Sequence, residues 1–134
     1  MIVVAHGRQG GSSIRGEEEF FTGEVWRDIV AQDGNVGVGT VSFTPCARTR
    51  WHRHEGGQLL IIVAGEGYVE DEEGRVKVRA GDTIWTPPNV RHWHGATSDT
   101  FLVHNAITIG GVEWMEPVAD ANYKVEPVRP VESA

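Results

Sequence analysis

Residues 43–58 read Phe43-Thr44-Pro45-Cys46-Ala47-Arg48-Thr49-Arg50-Trp51-His52-Arg53-His54-Glu55-Gly56-Gly57-Gln58. His52 and His54 stand two apart, so on an extended segment both imidazoles face the same side. Gln58 follows a Gly-Gly turn and opens the apolar run 58–64. A second stretch, Gly81-Asp82-Thr83-Ile84-Trp85-Thr86-Pro87-Pro88-Asn89-Val90-Arg91-His92, puts another histidine just after a proline turn. Folded against the first, it offers three imidazoles and an amide oxygen to one point. Such a set suits a divalent transition metal (manganese, iron, nickel or zinc) with positions left for water or substrate.

Outward from these stretches the chain is a series of short β-prone runs: 24–31, 36–43, 58–64, 67–71, 75–79, 83–86 and 100–109. Turn signals separate them, at Asp33-Gly34-Asn35, Gly65-Glu66-Gly67, Glu73-Gly74, Ala80-Gly81-Asp82 and Pro87-Pro88-Asn89. Strands spaced this way predict an all-β sandwich or barrel. No segment before Trp114 keeps a 3.6-residue period, so crossover helices are excluded. Only 117–124 suggests a short helical turn, with Asp120 poorly placed as its cap. The stretch 6–16 has little to bury, so residues 1–17 read as a mobile arm, 18–124 as one barrel domain and 125–134 as a tail.

The 134 residues, 40% hydrophobic, suffice for one core and not for two domains. A formal charge of −7 argues against a nucleic-acid partner. No apolar run approaches the roughly 20 residues of a membrane span, and Met1-Ile2-Val3-Val4 is short for a signal peptide. The single cysteine, Cys46, excludes an internal disulfide and fits a cytoplasmic setting.

Both stretches resemble the two cupin motifs. The first matches G-x5-H-x-H-x3-E-x6-G through His52, His54, position 58 and Gly65. The second matches G-x5-P-x-G-x2-H-x3-N through Gly81, Pro87 and His92. Residues 66–80 lie between them, a spacing typical of compact single-domain cupins. The resemblance implies a small antiparallel β-barrel of jelly-roll type with a metal held by His52, His54, Gln58 and His92. Cys46 and Asn89 stand where the motifs have glycine, and Ala96 replaces the final asparagine. Gln58 replaces the usual glutamate and leaves the ion its full double charge. The ion is then a stronger Lewis acid, which resists oxidation and attracts anions.

Within cupins the chain is most similar to the manganese-dependent hydroxynitrile lyases, through Ala47-Arg48-Thr49, Gly57-Gln58, His92-Trp93-His94-Gly95-Ala96 and Glu113-Trp114-Met115-Glu116. This implies a metal-dependent lyase that forms or cleaves a C–C bond next to an oxygen held at the metal, acting on a small-molecule substrate. A metal-dependent dioxygenase or isomerase, and a non-catalytic ligand-binding cupin, are the alternatives. His94, two after His92, and His104, on an apolar strand, are the candidate proton carriers. Trp51, Trp85 and Trp93 are candidates to shape an apolar substrate pocket. Arg48, Arg50, Arg53 and Arg91 read as a solvated rim, and Glu70-Asp71-Glu72-Glu73 as a hairpin tip. By resemblance a homodimer is expected.

Overall fold

The turn Gly34-Asn35 shows why this chain forms sheet. Gly34 sits at φ 57°, so Asp33 pairs directly with Val36, the left-handed geometry that two-residue hairpins require. The computed structural model describes residues 1–5, 13–125 and 129–131. Within them every strand pairing is antiparallel.

The strands in chain order are β1 (Ile14–Arg15), β2 (Phe21–Thr22), β3 (Val25–Asp33), β4 (Val36–Phe43), β5 (Arg48–Thr49) and β6 (His52–His54). Then come β7 (Gln58–Asp71), β8 (Gly74–Arg79), β9 (Thr83–Thr86), β10 (Trp93–Ala96), β11 (Leu102–Ile109) and β12 (Val112–Trp114), with one helical turn, α1 (Asp120–Tyr123). They form an all-β, curled sheet in the order β1-β3-β4-β11-β7-β10-β5-β2. β8 and β9 also pair with β7, while β6 and β12 form a separate ribbon.

β7 does the curling. Its first half pairs with β11 and β9, its second half with β10 and β8. The change of partners falls at Gly65, at φ 78°, where a Cβ would collide with the Phe101 carbonyl oxygen. The turn expected at Gly65-Glu66-Gly67 is therefore a bend inside one 14-residue strand. A strand that bends at a glycine can serve two walls of a barrel without breaking its ladder.

Phe43, Val25, Ile62 and Leu102 centre the main core between the walls. Each buried side chain of this size contributes about 1.5–3 kcal/mol. A second cluster, Trp93, Val118 and Tyr123, seats α1 on the back of β10. Two buried guanidiniums hold this C-terminal segment. Arg48 donates to the Val118 carbonyl and to Asp120, both at 2.7 Å. Arg75, 3% exposed, donates to the carbonyls of Asn122, Tyr123 and Val125 and pairs with Glu70. Asp120 thus answers Arg48, and the α1 N-cap is Ala119, which makes no side-chain cap bond.

Both chain ends make contacts with the barrel where they are described. The ladder begins at Ile14, with Ile14–Arg15 paired to β3, ahead of the expected start at Glu18. Arg129 ties the far end back to the acidic hairpin tip, at 3.1 Å from Asp71 and 3.2 Å from Glu73. The stretches 6–12, 126–128 and 132–134 lie outside the described residues. No helix among the described residues is long and apolar enough to cross a membrane.

Candidate metal centre

The ribbon β6–β12 brings the first two histidines to the barrel. Its alternation buries His52 and His54 and leaves Arg53 outside, paired with Glu113. His52 and His92 then exchange backbone hydrogen bonds, N–H to carbonyl in both directions at 2.9 Å. One ring nitrogen from each of His52, His54 and His92 lies within 4.8 Å of the other two, all three residues buried.

Backbone carbonyls fix two of the tautomers. His52 Nδ1 donates to the Arg50 carbonyl at 2.8 Å, and His92 Nδ1 donates to the Val90 carbonyl at 3.0 Å. Each leaves a bare Nε2 on the other side of the ring. Neither ring nitrogen of His54 has a hydrogen-bond partner among the described residues. Gln58 Nε2 donates to the Thr108 hydroxyl at 3.0 Å, which turns its Oε1 to within 3.4 Å of His92 Nε2. Burial, with His92 beside it, pushes the His54 imidazole down to about 4. Burial likewise lowers His52 well below the usual histidine range and lowers His92. Neutral imidazoles with inward lone pairs and one amide oxygen fit a divalent transition metal.

His94 and His104 lie beside this group. His104 Nε2 and His94 Nδ1 are 3.1 Å apart and hydrogen-bonded. His94 Nε2 and His104 Nδ1 are buried with no partner among the described residues. Phe43 packs its ring against both imidazoles, at 5.9 and 5.3 Å between centroids. Burial pushes His104 down to about 4 and holds His94 well below the ordinary range, so both rings are neutral near pH 7.

A cavity of about 420 Å³ joins His52, His54 and Gln58 to His94 and His104. Its remaining wall is largely apolar, with Val41, Phe43, Ala106 and Trp114. None of the three tryptophans expected to shape a pocket lines it. Trp93 is fully buried in the cluster under α1. Trp51 carries the Arg91 guanidinium on its face at 3.7 Å. Trp85 is 51% exposed and lines a separate groove that reaches His92 from the far side. Trp114 takes their place, its ring 4.8 Å from that of His52. Sequence reasoning missed Trp114 and Thr108, although Thr108 follows His104 and Ala106 at the two-residue period of one strand face.

The Cupin domain family matches residues 39–104. The (R)-mandelonitrile lyase of Granulicella tundricola is 40% identical over 121 residues, 84% of this chain and 92% of that protein. The chain belongs to the cupin family. Among solved structures, a cupin-like protein of Thermotoga maritima is 39% identical, with a TM-score of 0.79 over 82% of this cupin and 90% of that chain. A predicted oxalate decarboxylase of the same organism, at 23% identity and a TM-score of 0.71, covers 83% of this cupin and all 100% of its own chain, and shares the fold. The two motif glycines that this cupin lacks leave their geometry behind: Cys46 and Asn89 hold φ 71° and 63°. Asparagine adopts this conformation readily, whereas cysteine is strained there by about 1 kcal/mol.

Proposed function

We propose that this cupin is a metal-dependent lyase that breaks or forms the C–C bond of a cyanohydrin-like substrate. The observation that carries the proposal is the hydrogen-bonded His94–His104 pair, which opens into the same apolar cavity as His52, His54 and Gln58. The kinship with a mandelonitrile lyase supports it. A divalent ion, manganese being favoured by the resemblance, supplies a Lewis acid that stabilises charge developing on a substrate oxygen.

The chain's own residues do the rest. Phe43, Val41, Ala106 and Trp114 receive the apolar part of the substrate and exclude water from it. The carbonyls of Arg50 and Val90 hold the His52 and His92 rings in place. The His94–His104 pair takes the substrate hydroxyl proton at one of its two open nitrogens, His94 Nε2 or His104 Nδ1. As the C–O bond becomes a carbonyl, the C–C electron pair leaves with cyanide. The pair then returns the proton to cyanide, giving hydrogen cyanide and an aldehyde.

The test is cleavage of mandelonitrile by the purified protein loaded with manganese. Turnover is expected, with loss on chelation, recovery on adding manganese back, and loss in His52→Ala. Turnover that survives both chelation and His52→Ala would overturn the reading. Oxygen consumption by the iron-loaded protein in its place would point to a dioxygenase.

A further inference from the structure

Among the described residues, Arg27 is the one arginine or lysine that lines the cavity shared by His52, His54, Gln58, His94 and His104. It stands on β3 opposite Val41 of β4, and Val41 stands opposite His104 of β11. The three share one row across the sheet. Two strand spacings, roughly 10 Å, therefore separate the backbones of Arg27 and His104.

Three features describe this guanidinium. It lies over the ring of Phe21 at 5.9 Å, and Phe21 lines the same cavity, so the group is held against the wall. Its ion pair with Glu17 is loose, at 3.8 Å between two part-exposed side chains, an arrangement that contributes little. Its Nε is buried without a hydrogen-bond partner among the described residues, and a buried donor left unmade is unfavourable until something accepts from it. Asp28 also touches the cavity, but its carboxylate already accepts from the Ser13 hydroxyl at 2.5 Å. Three of the four arginines near the motifs are engaged elsewhere: Arg48 with the C-terminal segment, Arg53 with Glu113 and Arg91 with Glu116, while Arg50 does not line the cavity.

We infer that Arg27 is a specificity-determining residue that selects hydroxy- or oxo-compounds bearing a carboxylate at the end remote from the three-histidine centre. The inference rests on the proposed lyase reading for which end of the substrate that centre holds. A carboxylate matches the group because Nε and a terminal nitrogen form a fork that meets both of its oxygens. Such an anion makes shorter contacts than Glu17 does and supplies the missing acceptor. The apolar row at Val41 and Phe43 accommodates the ring or chain between the two ends.

The test needs no turnover. Isothermal titration of the manganese-loaded protein compares 4-(hydroxymethyl)benzoate with 4-(hydroxymethyl)benzamide, which differ at the remote end in charge and in one acceptor oxygen, the two properties the guanidinium fork would read. The acid is expected to bind about tenfold more tightly than the amide, the effect of a hydrogen bond to a charged group. In Arg27→Gln the gap is expected to close to within about twofold, and Arg27→Lys, which keeps charge without the fork, is expected to fall between. Circular dichroism verifies the fold of both variants. Equal binding of the two probes, no binding of either, or a preference that survives undiminished in either variant would overturn the inference. A protein inactive on mandelonitrile that keeps the preference fails the lyase reading alone. An active one that lacks it fails this inference alone.

Discussion

Gln58 and Thr108 face each other across β7 and β11, and the amide Nε2 donates to the threonine hydroxyl at 3.0 Å. That bond decides which end of a nearly symmetric amide meets the three imidazoles. Removing it in Thr108→Val frees the amide to turn its NH₂ inward, where it cannot act as a ligand. Metal affinity, measured by competition with a chelator, is expected to fall about 10- to 100-fold, the usual effect of losing such a supporting contact. Thr108→Ser keeps a hydroxyl in place and is expected to restore most of it.

Gln58→Glu tests the charge of the centre itself. A carboxylate in place of the amide donates a negative charge, so metal affinity rises and the ion becomes a weaker Lewis acid. The pKa of coordinated water is expected to rise and the reduction potential of bound manganese to fall. Identical water titrations and potentials in the two proteins would refute the argument from charge.

Acid should weaken the fold through His104. Unfolded, its imidazole takes a proton near 6.5; folded, burial pushes it down to about 4. Between those values the unfolded chain binds the extra proton, so stability is complete above about pH 6.5 and is lost as the pH falls toward 4. The loss is on the order of 3 kcal/mol from this residue alone. Urea unfolding of metal-free protein between pH 4 and 8 is expected to show it, with a shallower slope in His104→Gln.

Arg75 closes the back of the barrel. Arg75→Met removes the donors for the carbonyls of Asn122, Tyr123 and Val125 and leaves Glu70 without its cation. Losing one side of a buried charged network costs about 3–5 kcal/mol. The urea midpoint is expected to drop accordingly, and limited proteolysis is expected to cut near α1 first.

What the sequence discloses about this protein follows from the range of each interaction. The His52-x-His54 spacing is local chemistry on an extended segment, and the buried-exposed-buried pattern of β6 realises it. The strand at 36–43 and the turn before it are equally local. The bend at Gly65 is different: glycine between two β-runs is the same signal whether the chain reverses or changes walls, and only the Phe101 carbonyl across the gap decides. The placement of the tryptophans is hard to read for a related reason. Period two says that Trp85 faces opposite to Ile84 and Thr86, but sheet closure determines which of those faces is inside. Arg48 sits two residues before Arg50 and reads as surface, yet it is buried because Val118 and Asp120, far along the chain, supply its acceptors.

The reciprocal backbone bonds between His52 and His92 have a bearing on how such a protein is supplied with its ion. They join the two halves of the centre through main chain, without using a side-chain atom that would hold an ion. An ion bound there would add stability by mass action. Because the donor set accommodates several first-row metals, occupancy follows the order in which the cell makes them available. Which metal this protein would carry is then expected to depend on the growth medium as much as on the fold, and recombinant preparations from differently supplemented cultures are expected to differ in metal while sharing one structure.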